Sequence, residues 1–346
     1  MDGPATLRRG WTTGACATAA AKAAYAALLT GAFPDPVEIG LPRGGRAAFA
    51  LAEAHVAGEV ATAAVVKDAG DDPDVTHGAL IRVRAWRGPP GVAFLAGPGV
   101  GTVTRAGLPL PPGEPAINPV PRQMIRDALA EVASPPGAVV EIGVEGGEAL
   151  ALRTLNGRLG IVGGLSILGT TGVVVPYSCA AWIDTIHRGI DVARAAGLRH
   201  VAGATGSGSE AAVAALHGLP EVALLEMGDF VGGMLRYLRR HPVPRVTIAG
   251  GVAKMAKLAQ GRLDLHSKRG SVDMAALASL AGLPDLAGCN TVAEAFALAE
   301  ARGVPLGDAV AARAWATAAA MLDGSPIALD VAVFDREGRL RGHHGR

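Results

Sequence analysis

The sequence predicts an α+β N-terminal domain joined to an α/β C-terminal domain with a doubly wound, Rossmann-like parallel sheet. Its 346 residues are long for one domain, and two domains are the natural expectation. Residues 1–155 carry many strand patterns and few helical ones, as α+β domains do. Residues 181–346 alternate strand and helix patterns, which is typical of a parallel sheet covered on both faces. We expect the glycine-rich residues 156–180 to connect the two domains.

The N-terminal domain is expected to begin with a turn that leads into a helix. Thr12 and Thr13 are good N-cap residues, and the alanines that follow as far as Leu29 are strong helix formers. The turn at 42–45 predicts one hairpin, and the turn at 97–99 predicts another between its flanking strands. The expected strands are 37–41, 47–51, 60–67, 79–86, 92–96, 101–105 and 139–144, with a second helix over 122–133.

The C-terminal domain is expected to alternate helices and strands. A first helix from Ala181 to Ala195 places Ile183, Ile186 and Ile190 on one apolar stripe. Strands over 199–203, 221–225 and 245–249 then alternate with helices over 209–217, 230–240 and 252–260. Two or three alanine-rich helices and a strand over 328–334 follow. We expect the end of the chain, at 342–344, to be a solvated terminus.

Composition and charge exclude several classes of function. The net charge is +1 and basic residues form no long run, so we expect no nucleic-acid partner. The alanine-rich stretch 15–29 is too short to span a bilayer, and the start of the chain lacks an apolar core of signal-peptide length. Cys16, Cys179 and Cys289 are widely spaced and odd in number, so neither a disulfide framework nor a protein-bound metal is expected. We therefore expect a cytoplasmic protein with no membrane contact.

The glycine-rich segment 160–176 is the strongest indication of a binding site. A fixed glycine loses more backbone entropy than any other residue, so dense glycines indicate positive φ or close approach of a ligand. A simple crossing between domains is the alternative, and it needs only one or two glycines. We favour a loop that contacts a ligand through Gly163, Gly164, Gly169 and Thr170.

A second candidate site lies at the expected carboxyl ends of the C-terminal strands, where open α/β sheets bind ligands. Gly203, Gly206 and Gly208 lie between a strand and a helix, although their spacing is not that of the dinucleotide motif. Glu226 ends the next strand, near the distance along the chain at which a carboxylate meets ribose hydroxyls. A third loop, Gly250-Gly251, precedes the helix that carries Lys254 and Lys257. Ordinary tight turns are the alternative to a nucleoside-binding site.

The remaining polar candidates lie in the N-terminal part of the chain. Four aspartates within 68–74 offer oxygen ligands, but their spacing is not that of a calcium loop, so we favour a turn or a substrate contact over a metal site. Arg122 and Arg158 can each offer a bidentate fork to a carboxylate, although lone arginines are usually solvated. The backbone N–H groups after Thr13-Gly14 form a candidate anion site.

Several long stretches resemble the cobalt-precorrin-5B C1-methyltransferase (CbiD) family. They are GWTTGACATAAAKAA from Gly10, VVKDAGDDPDVTHG from Val65, VGTVTRAGLPLPPGEPAINPVPRQMI from Val100, LNGRLGIVGGLSILGTTGVVVPYS from Leu155, GDFVGGMLRYL from Gly228 and LDLHS from Leu263. Two positions depart from the family pattern. Members typically have Asn-Pro-Arg where this chain has Asn156-Gly157-Arg158, and they often have an acidic segment where this chain has residues 178–182. The second departure leaves open whether the substrate contains cobalt.

The resemblance implies transfer of a methyl group from S-adenosylmethionine to ring carbon 1 of a corrin precursor, giving cobalt-precorrin-6A in cobalamin biosynthesis. The donor is then expected on the C-terminal domain, at Glu226 and the glycines before it. The tetrapyrrole carboxylates need cations, and Lys22, Arg122 and Arg158 with the glycine-rich segment are the expected contacts. Catalysis can depend largely on alignment, because the sulfonium is already activated. Asp229 and His266 are the candidates for any proton transfer.

Two other functions remain as alternatives. A non-catalytic tetrapyrrole carrier would keep the cations but would not need a nucleoside site, so the glycine loop followed by Glu226 argues against it. A nucleotide-dependent kinase or ligase would fit a turn that opens a helix, but the phosphate-binding G-x-x-x-x-G-K-[ST] motif does not occur. Neighbouring enzymes of the corrin pathway are possible transient partners, and the sequence does not determine the oligomeric state.

Overall fold

The computed structural model describes residues 7–267 and 270–345, which divide into two compact units. The boundary lies between Cys179 and Ala180. The glycine-rich segment that we expected between two domains packs within the first unit, where Val174 is the register partner of Gly10. Every helix in the described residues is too short or too polar to cross a lipid bilayer.

The first unit combines one long helix with short strands. Its elements are β1 (Gly10–Trp11), α1 (Thr13–Thr30), β2 (Val37–Gly40), β3 (Arg46–Phe49), β4 (Glu53–Ala57), β5 (Val60–Val66), β6 (Leu80–Arg87), β7 (Gly91–Ala96), β8 (Thr102–Val103), α2 (Pro119–Ala130), β9 (Gly137–Val144), α3 (Gly147–Ala151), α4 (Asn156–Leu159), β10 (Ile161–Val162) and β11 (Val173–Val174). The main sheet has the order β4-β5-β6-β9-β7. All of its pairs are antiparallel except β7 with β9.

Helix α1 forms the core of this unit, as the sequence predicts. The Thr12 hydroxyl accepts a hydrogen bond from the amide of Ala15 at 3.1 Å, and Gly31 ends the helix with a φ of 77°. Nearly all of its alanines are buried, and they face small side chains of β5 such as Ala61 and Ala63. Small side chains on both elements let the helix axis lie close to the sheet, so the alanine content reflects packing as well as helix propensity.

The hairpin between β2 and β3 is confirmed, but the predicted pairing of the two strands around 97–99 is wrong. Strand β7 pairs with β9 instead, and β8 pairs with β10. The amide of Gly97 donates to the carbonyl of Ile142 at 2.8 Å, which holds the turn against β9 and sends the chain away from β7. Strand β4 was not predicted, because its mostly exposed residues lack an apolar alternation.

The second unit alternates helices with strands. Its elements are α5 (Cys179–Ala195), β12 (His200–Ala204), α6 (Ser207–His217), β13 (Leu224–Glu226), α7 (Val231–Arg240), β14 (Arg245–Gly251), α8 (Val252–Ala259), α9 (Met274–Ala281), α10 (Val292–Ala301), α11 (Leu306–Met321), β15 (Ala328–Phe334) and β16 (Leu340–Gly345). The sheet order is β13-β12-β14-β15-β16. The first four strands are parallel, and β16 is antiparallel to β15.

Both faces of this sheet are covered. Alternate residues such as Val201 and Ile248 face a large apolar core that includes α5, α7, α8 and α11. Their neighbours Ala202 and Ala249 face a smaller core with Val213 of α6. The β strands are therefore buried on both sides, which explains why their sequences are nearly continuous apolar runs.

The end of the chain forms an edge strand rather than a solvated terminus. Ala332 and His343 are register partners in the pair of β15 with β16. A Cβ on Gly342 would lie 2.0 Å from the backbone of Gly307, so two glycines allow the strand and α11 to approach closely. The expectation failed because the pattern around 342–344 is polar, as edge strands often are.

Candidate functional site

The loops after three parallel strands meet at the carboxyl edge of the second unit. Ala204 and Glu226 are register partners at the ends of β12 and β13. The amide of Gly228 donates to the carbonyl of Ala204 at 3.0 Å, and the amide of Thr205 donates to the carbonyl of Ala249 at 3.0 Å. The chain thus brings the Glu226 carboxylate next to the glycine loop that precedes α6.

This edge also contains the point at which the direction of winding changes. Helix α6 connects β12 to β13 on the face of the smaller core. The connection from β14 to β15 begins with helix α8 on the opposite face, because Met255 and Leu258 belong to the large core. Adjacent strands whose connections leave on opposite faces open a crevice at their carboxyl ends, where α/β proteins bind ligands.

The three glycines predicted at this loop do not have the same role. Gly206 and Gly208 are exposed, and a Cβ at either position would meet nothing within 4 Å. Gly203 is buried inside β12, where a Cβ would lie 2.3 Å from Sδ of Met234. Packing against the methionine explains Gly203, whereas no neighbour in the described residues explains the absence of side chains at Gly206 and Gly208.

The side chain of Glu226 is available to a ligand. It is exposed, and its carboxylate has no hydrogen-bond or ion-pair partner in the described parts of the chain. Its backbone is fixed by Nε1 of Trp182, which donates to the Glu226 carbonyl at 3.1 Å. The indole also contacts Phe230, with the ring centroids 6.5 Å apart. A fixed backbone and an unsatisfied carboxylate suit recognition of a pair of hydroxyl groups.

The structure holds Asp229 in an internal ion pair. Its carboxylate accepts a short hydrogen bond from Nζ of Lys254, and its carbonyl accepts from the amide of Leu265 at 2.9 Å. Nζ of Lys257 donates to the Leu265 carbonyl at 3.1 Å, and burial lowers the pKa of Lys257. The exposed His266 follows Leu265, so the two candidates for proton transfer lie on adjoining segments.

In the first unit, the glycine-rich segment packs on the start of α1. The amide of Thr12 donates to the Gly172 carbonyl at 3.0 Å, and the amide of Gly14 donates to the Leu168 carbonyl at 3.0 Å. The Thr13 hydroxyl accepts from the Leu168 amide at 3.0 Å. The predicted anion site at this helix terminus is therefore wrong, since the protein itself satisfies the Gly14 amide and the Ala15 and Cys16 amides that follow it.

The glycine-rich segment also divides into packing positions and open positions. A Cβ on Gly164 would lie 2.3 Å from the Gly99 carbonyl oxygen, and one on Gly169 would lie 2.5 Å from the Thr12 side chain. Gly163 and Thr170 are exposed. Internal packing thus accounts for two of the predicted contacts, and the other two face solvent.

The predicted cations are used within the first unit. Nζ of Lys22 donates to Oε2 of Glu131 and to the Glu38 carbonyl, and it is largely buried. Hydrogen bonds from Arg46 and Lys22 lower the pKa of Glu131 to about 2.

Arg122 is similarly engaged. Its Nε donates to the Ile117 carbonyl at 2.8 Å, and its Nη2 donates to Glu114 at 2.8 Å. The Arg122 guanidinium also lies 5.3 Å from the centre of the Phe94 ring. Arg158 is half-buried in α4, and its carbonyl accepts from Nη1 of Arg105 at 3.3 Å. Solvation, the expected alternative for lone arginines, does not describe Arg122.

The acidic loop is ordered by its own contacts and by the N-terminal segment. Arg8 pairs with Asp68, and this hydrogen bond together with the Gly70 amide lowers the pKa of Asp68 to about 2. The amide of Tyr177 donates to Asp72 at 2.8 Å. Sequence reasoning missed Lys67, which is buried beside this loop; its lysine type at the end of an apolar strand was the available signal.

A mostly parallel sheet with helices on both faces defines an α/β unit, and α/β units bind ligands at the carboxyl edge of the sheet. The chain belongs to the CbiD family. The family model described as CbiD matches residues 2–176, and the model described as CbiD, C-terminal domain, matches residues 264–345.

Several relatives match over nearly the whole chain. The proteins named cobalt-precorrin-5B C(1)-methyltransferase from Agrobacterium fabrum and Bradyrhizobium sp. are 64% and 62% identical, and each match covers 97% of this chain and 93% of the relative. The protein of that name from Halorhodospira halophila is 60% identical over 98% of this chain and 95% of its own length. A crystal structure of the cobalamin biosynthesis protein (cbiD) from Archaeoglobus fulgidus covers 81% of this chain and 82% of its own, at 24% identity and a TM-score of 0.40.

Proposed function

We propose that the chain transfers a methyl group from S-adenosylmethionine to carbon 1 of cobalt-precorrin-5B, or of its metal-free analogue, in cobalamin biosynthesis. The product is then cobalt-precorrin-6A. Relatives at 55–64% identity, each matching over 96% or more of this chain, carry the name of this activity. The single structural observation that carries the proposal is the unsatisfied Glu226 carboxylate, in register with Ala204 at the start of an open glycine loop.

The second unit is proposed to bind the methyl donor as a doubly wound, Rossmann-like domain. Four parallel strands with helices on both faces support this assignment. Glu226 is proposed to accept hydrogen bonds from the ribose hydroxyls, while Gly206 and Gly208 let the ligand approach the backbone. Gly203 acts only through packing.

The first unit is proposed to contact the tetrapyrrole. Gly163 and Thr170 are exposed on the glycine-rich segment, and Arg158 supplies positive charge near it. Lys22 and Arg122 act indirectly, because their ion pairs with Glu131 and Glu114 hold α1 and the proline-rich loop in place.

S-adenosylmethionine held at Glu226 and the loop of Gly206 and Gly208 would supply an activated methyl group. The ring carbon would bond to that methyl with its own electron pair, as the carbon–sulfur bond breaks and its electrons return to sulfur. The residues of this chain then need only align the two reactants and exclude water. Any proton lost from the ring is proposed to pass to the segment of Asp229 or His266. Lys254 pairs with the Asp229 carboxylate, so this carboxylate can act on the substrate only if that pair separates.

The test is methyl transfer with purified components in the absence of oxygen. The chain is mixed with S-adenosylmethionine and cobalt-precorrin-5B, and the mass of the tetrapyrrole is followed. The proposal expects a gain of one methyl group at carbon 1. A tetrapyrrole that binds but gains no methyl, with or without cobalt, would support the non-catalytic carrier instead.

The reaction is proposed to take place in the cytoplasm, beside the enzymes that make its substrate and consume its product. All three cysteines are free, as is common where thiols stay reduced. Transient contact with those enzymes would be tested by measuring whether their presence shortens the lag before product appears in a coupled assay.

A further inference from the structure

A cluster of histidines surrounds one buried carboxylate at the amino edge of the second unit. His200 is the first residue of β12, and Arg245 beside it is the first residue of β14. Asp330 lies near the start of β15, two residues after the partner of Arg245. This edge is opposite to the one that carries Glu226, so the cluster is separate from the proposed donor site.

The Asp330 side chain is fully buried and strongly oriented. Its Oδ1 accepts from Nε of Arg245 at 2.8 Å, and its Oδ2 accepts from Nη2 of Arg245 at 3.1 Å. Oδ2 also accepts from the Thr247 hydroxyl at 2.7 Å. These bonds keep the carboxylate ionised and fix the direction in which Oδ2 points.

Two imidazoles approach the same oxygen, and a third lies beside the Thr247 hydroxyl that donates to it. Nε2 of His217 lies 3.4 Å from Oδ2 of Asp330, and Nε2 of His343 lies 3.6 Å from it. Nε2 of His200 lies 2.7 Å from the Thr247 hydroxyl oxygen. One ring nitrogen of His200, one of His217 and one oxygen of Asp330 all lie within 4.8 Å of one another.

One of these nitrogens is unused. Nε2 of His217 is buried and makes no hydrogen bond within the described residues, although it faces the carboxylate. A buried polar atom without a hydrogen bond destabilises the folded state by about 1–3 kcal/mol, so such an atom in a native protein needs an explanation. A bound ligand that accepts an electron pair from Nε2 of His217 would explain it.

We propose that His200, His217 and Asp330 bind a divalent transition-metal ion of the zinc type, with His343 of β16 as the fourth ligand. Two or three imidazoles with one carboxylate form a common donor set for zinc. Bond lengths of about 2.0–2.2 Å place the ligand atoms of a tetrahedral site roughly 3.3–3.6 Å apart. The distances from Nε2 of His217 and Nε2 of His343 to Oδ2 of Asp330 are already close to that value. The His200 side chain would have to rotate to bring a ring nitrogen to the same separation.

Arg245 belongs to the surroundings of this site rather than to the ligands. Its bonds to the carboxylate orient Asp330, as hydrogen bonds to metal-binding groups commonly do. Its positive charge also opposes that of the ion, so we expect weaker binding than at a zinc site without a neighbouring cation. His343 is 39% exposed, which provides a path from solvent to the site. The bound ion would join β12, α6, β15 and β16 at one edge of the sheet.

The experiment is a titration of the full chain, without a polyhistidine tag and after treatment with a chelator, in the absence of tetrapyrrole. Zn²⁺ binding is followed by calorimetry, and Co²⁺ serves as a second probe because tetrahedral coordination gives it strong visible absorption. The proposal expects one ion per chain. His217→Ala and His343→Ala should each weaken binding about tenfold or more, by loss of a ligand.

His344→Ala is the matched control. It lies next to His343 on β16, but its ring contacts Trp315 rather than Asp330. This variant should bind Zn²⁺ like the wild type. Circular dichroism of each variant tests whether the fold is retained. Because His343 is exposed, its replacement disturbs the packing less than the replacement of His217. Failure of the wild type to saturate at one ion per chain, or wild-type affinity in both ligand variants, would overturn the proposal.

Discussion

Nζ of Lys67 lies 2.7 Å from Oδ2 of Asp74 in the first unit, and the lysine side chain is only 1% exposed. Asp74 also accepts hydrogen bonds from the amide and the hydroxyl of Thr76. The carboxylate therefore neutralises a buried ammonium group and at the same time shapes the acidic loop. The ion pair, rather than a metal ion, explains why an aspartate is needed at this position.

We expect Asp74→Asn to destabilise the first unit more than Lys67→Met. The first change leaves a buried charge without a counterion, which costs about 3–5 kcal/mol, whereas the second leaves a carboxylate that is 24% exposed and keeps Thr76. Hydrogen exchange of the α1 amides measures the stability of this unit alone. Equal losses in the two variants would contradict this account of the pair.

The same pair predicts a dependence of stability on pH. Burial raises the pKa of Asp74, but hydrogen bonds from Lys67 and Thr76 outweigh it and leave the pKa below its ordinary value. A carboxyl group with a lowered folded-state pKa stabilises the protein above its unfolded pKa of about 3.9. This stability is lost as the pH falls through the folded-state pKa. Over that pH range we expect Asp74→Asn to lose less stability than the wild type. Hydrogen exchange of the α1 amides at a series of pH values measures this difference.

Glu226→Gln should weaken binding of S-adenosylmethionine without loss of folding. The amide has one oxygen acceptor where the carboxylate has two, so the loss of a hydrogen bond to the proposed ribose hydroxyls should reduce the binding free energy by about 1–3 kcal/mol. Calorimetric titration of the donor measures the change. The matched control is Glu221→Gln, since Glu221 is exposed and lies just before the other end of β13. Similar affinities in the two variants would remove Glu226 from the donor site.

Gly164→Ala should destabilise the first unit, whereas Gly157→Ala should not. A Cβ at residue 164 would overlap the backbone of Gly99, which cannot move without breaking its bond to the Leu165 amide. Overpacking of this kind costs about 1–3 kcal/mol. A Cβ at residue 157 meets nothing within 4 Å. Thermal unfolding of the two variants gives the comparison. An unchanged unfolding midpoint for Gly164→Ala would show that the glycine-rich segment moves to make room for the added methyl group.

Cys16 and Cys179 should differ sharply towards alkylating reagents. Cys16 is fully buried in α1, and this burial raises the pKa of its thiol to about 12, so the reactive thiolate is nearly absent. Cys179 is exposed at the start of α5. Mass spectrometry after brief treatment with iodoacetamide should find Cys179 modified and Cys16 intact. Rapid modification of Cys16 in the native protein would indicate that α1 opens readily.

Elements formed by neighbouring residues could be predicted well. The alanine-rich α1 with its Thr12 cap, the hairpin of β2 with β3, and the alternation from α5 to α8 all follow from local propensity and apolar period. The pairing of strands that lie far apart along the chain could not be predicted. Nothing near Gly97 indicates that β7 lies beside β9, because that choice depends on which backbone groups remain to be satisfied after the sheet forms.

Candidate site residues were predicted by type and position but not by role. The sequence indicates Glu226 because the residue ends a strand, and the structure leaves its carboxylate available. The same reasoning indicates Lys22 and Arg122, whose charges the fold uses internally. The cluster around Asp330 left no signal in spacing, since its members come from β12, α6, β15 and β16.

The sequence alone therefore determined the longer helices, most strands, the alternation of the second half and the family to which the chain belongs, but not the short helices α3 and α4. These depend on short-range chemistry and on long continuous motifs. Only the tertiary structure decided which glycines serve packing, as Gly203 does, and which face open space, as Gly206 does. The role of a glycine or a charged side chain depends on the neighbours that folding brings to it, and those neighbours lie far away along the chain.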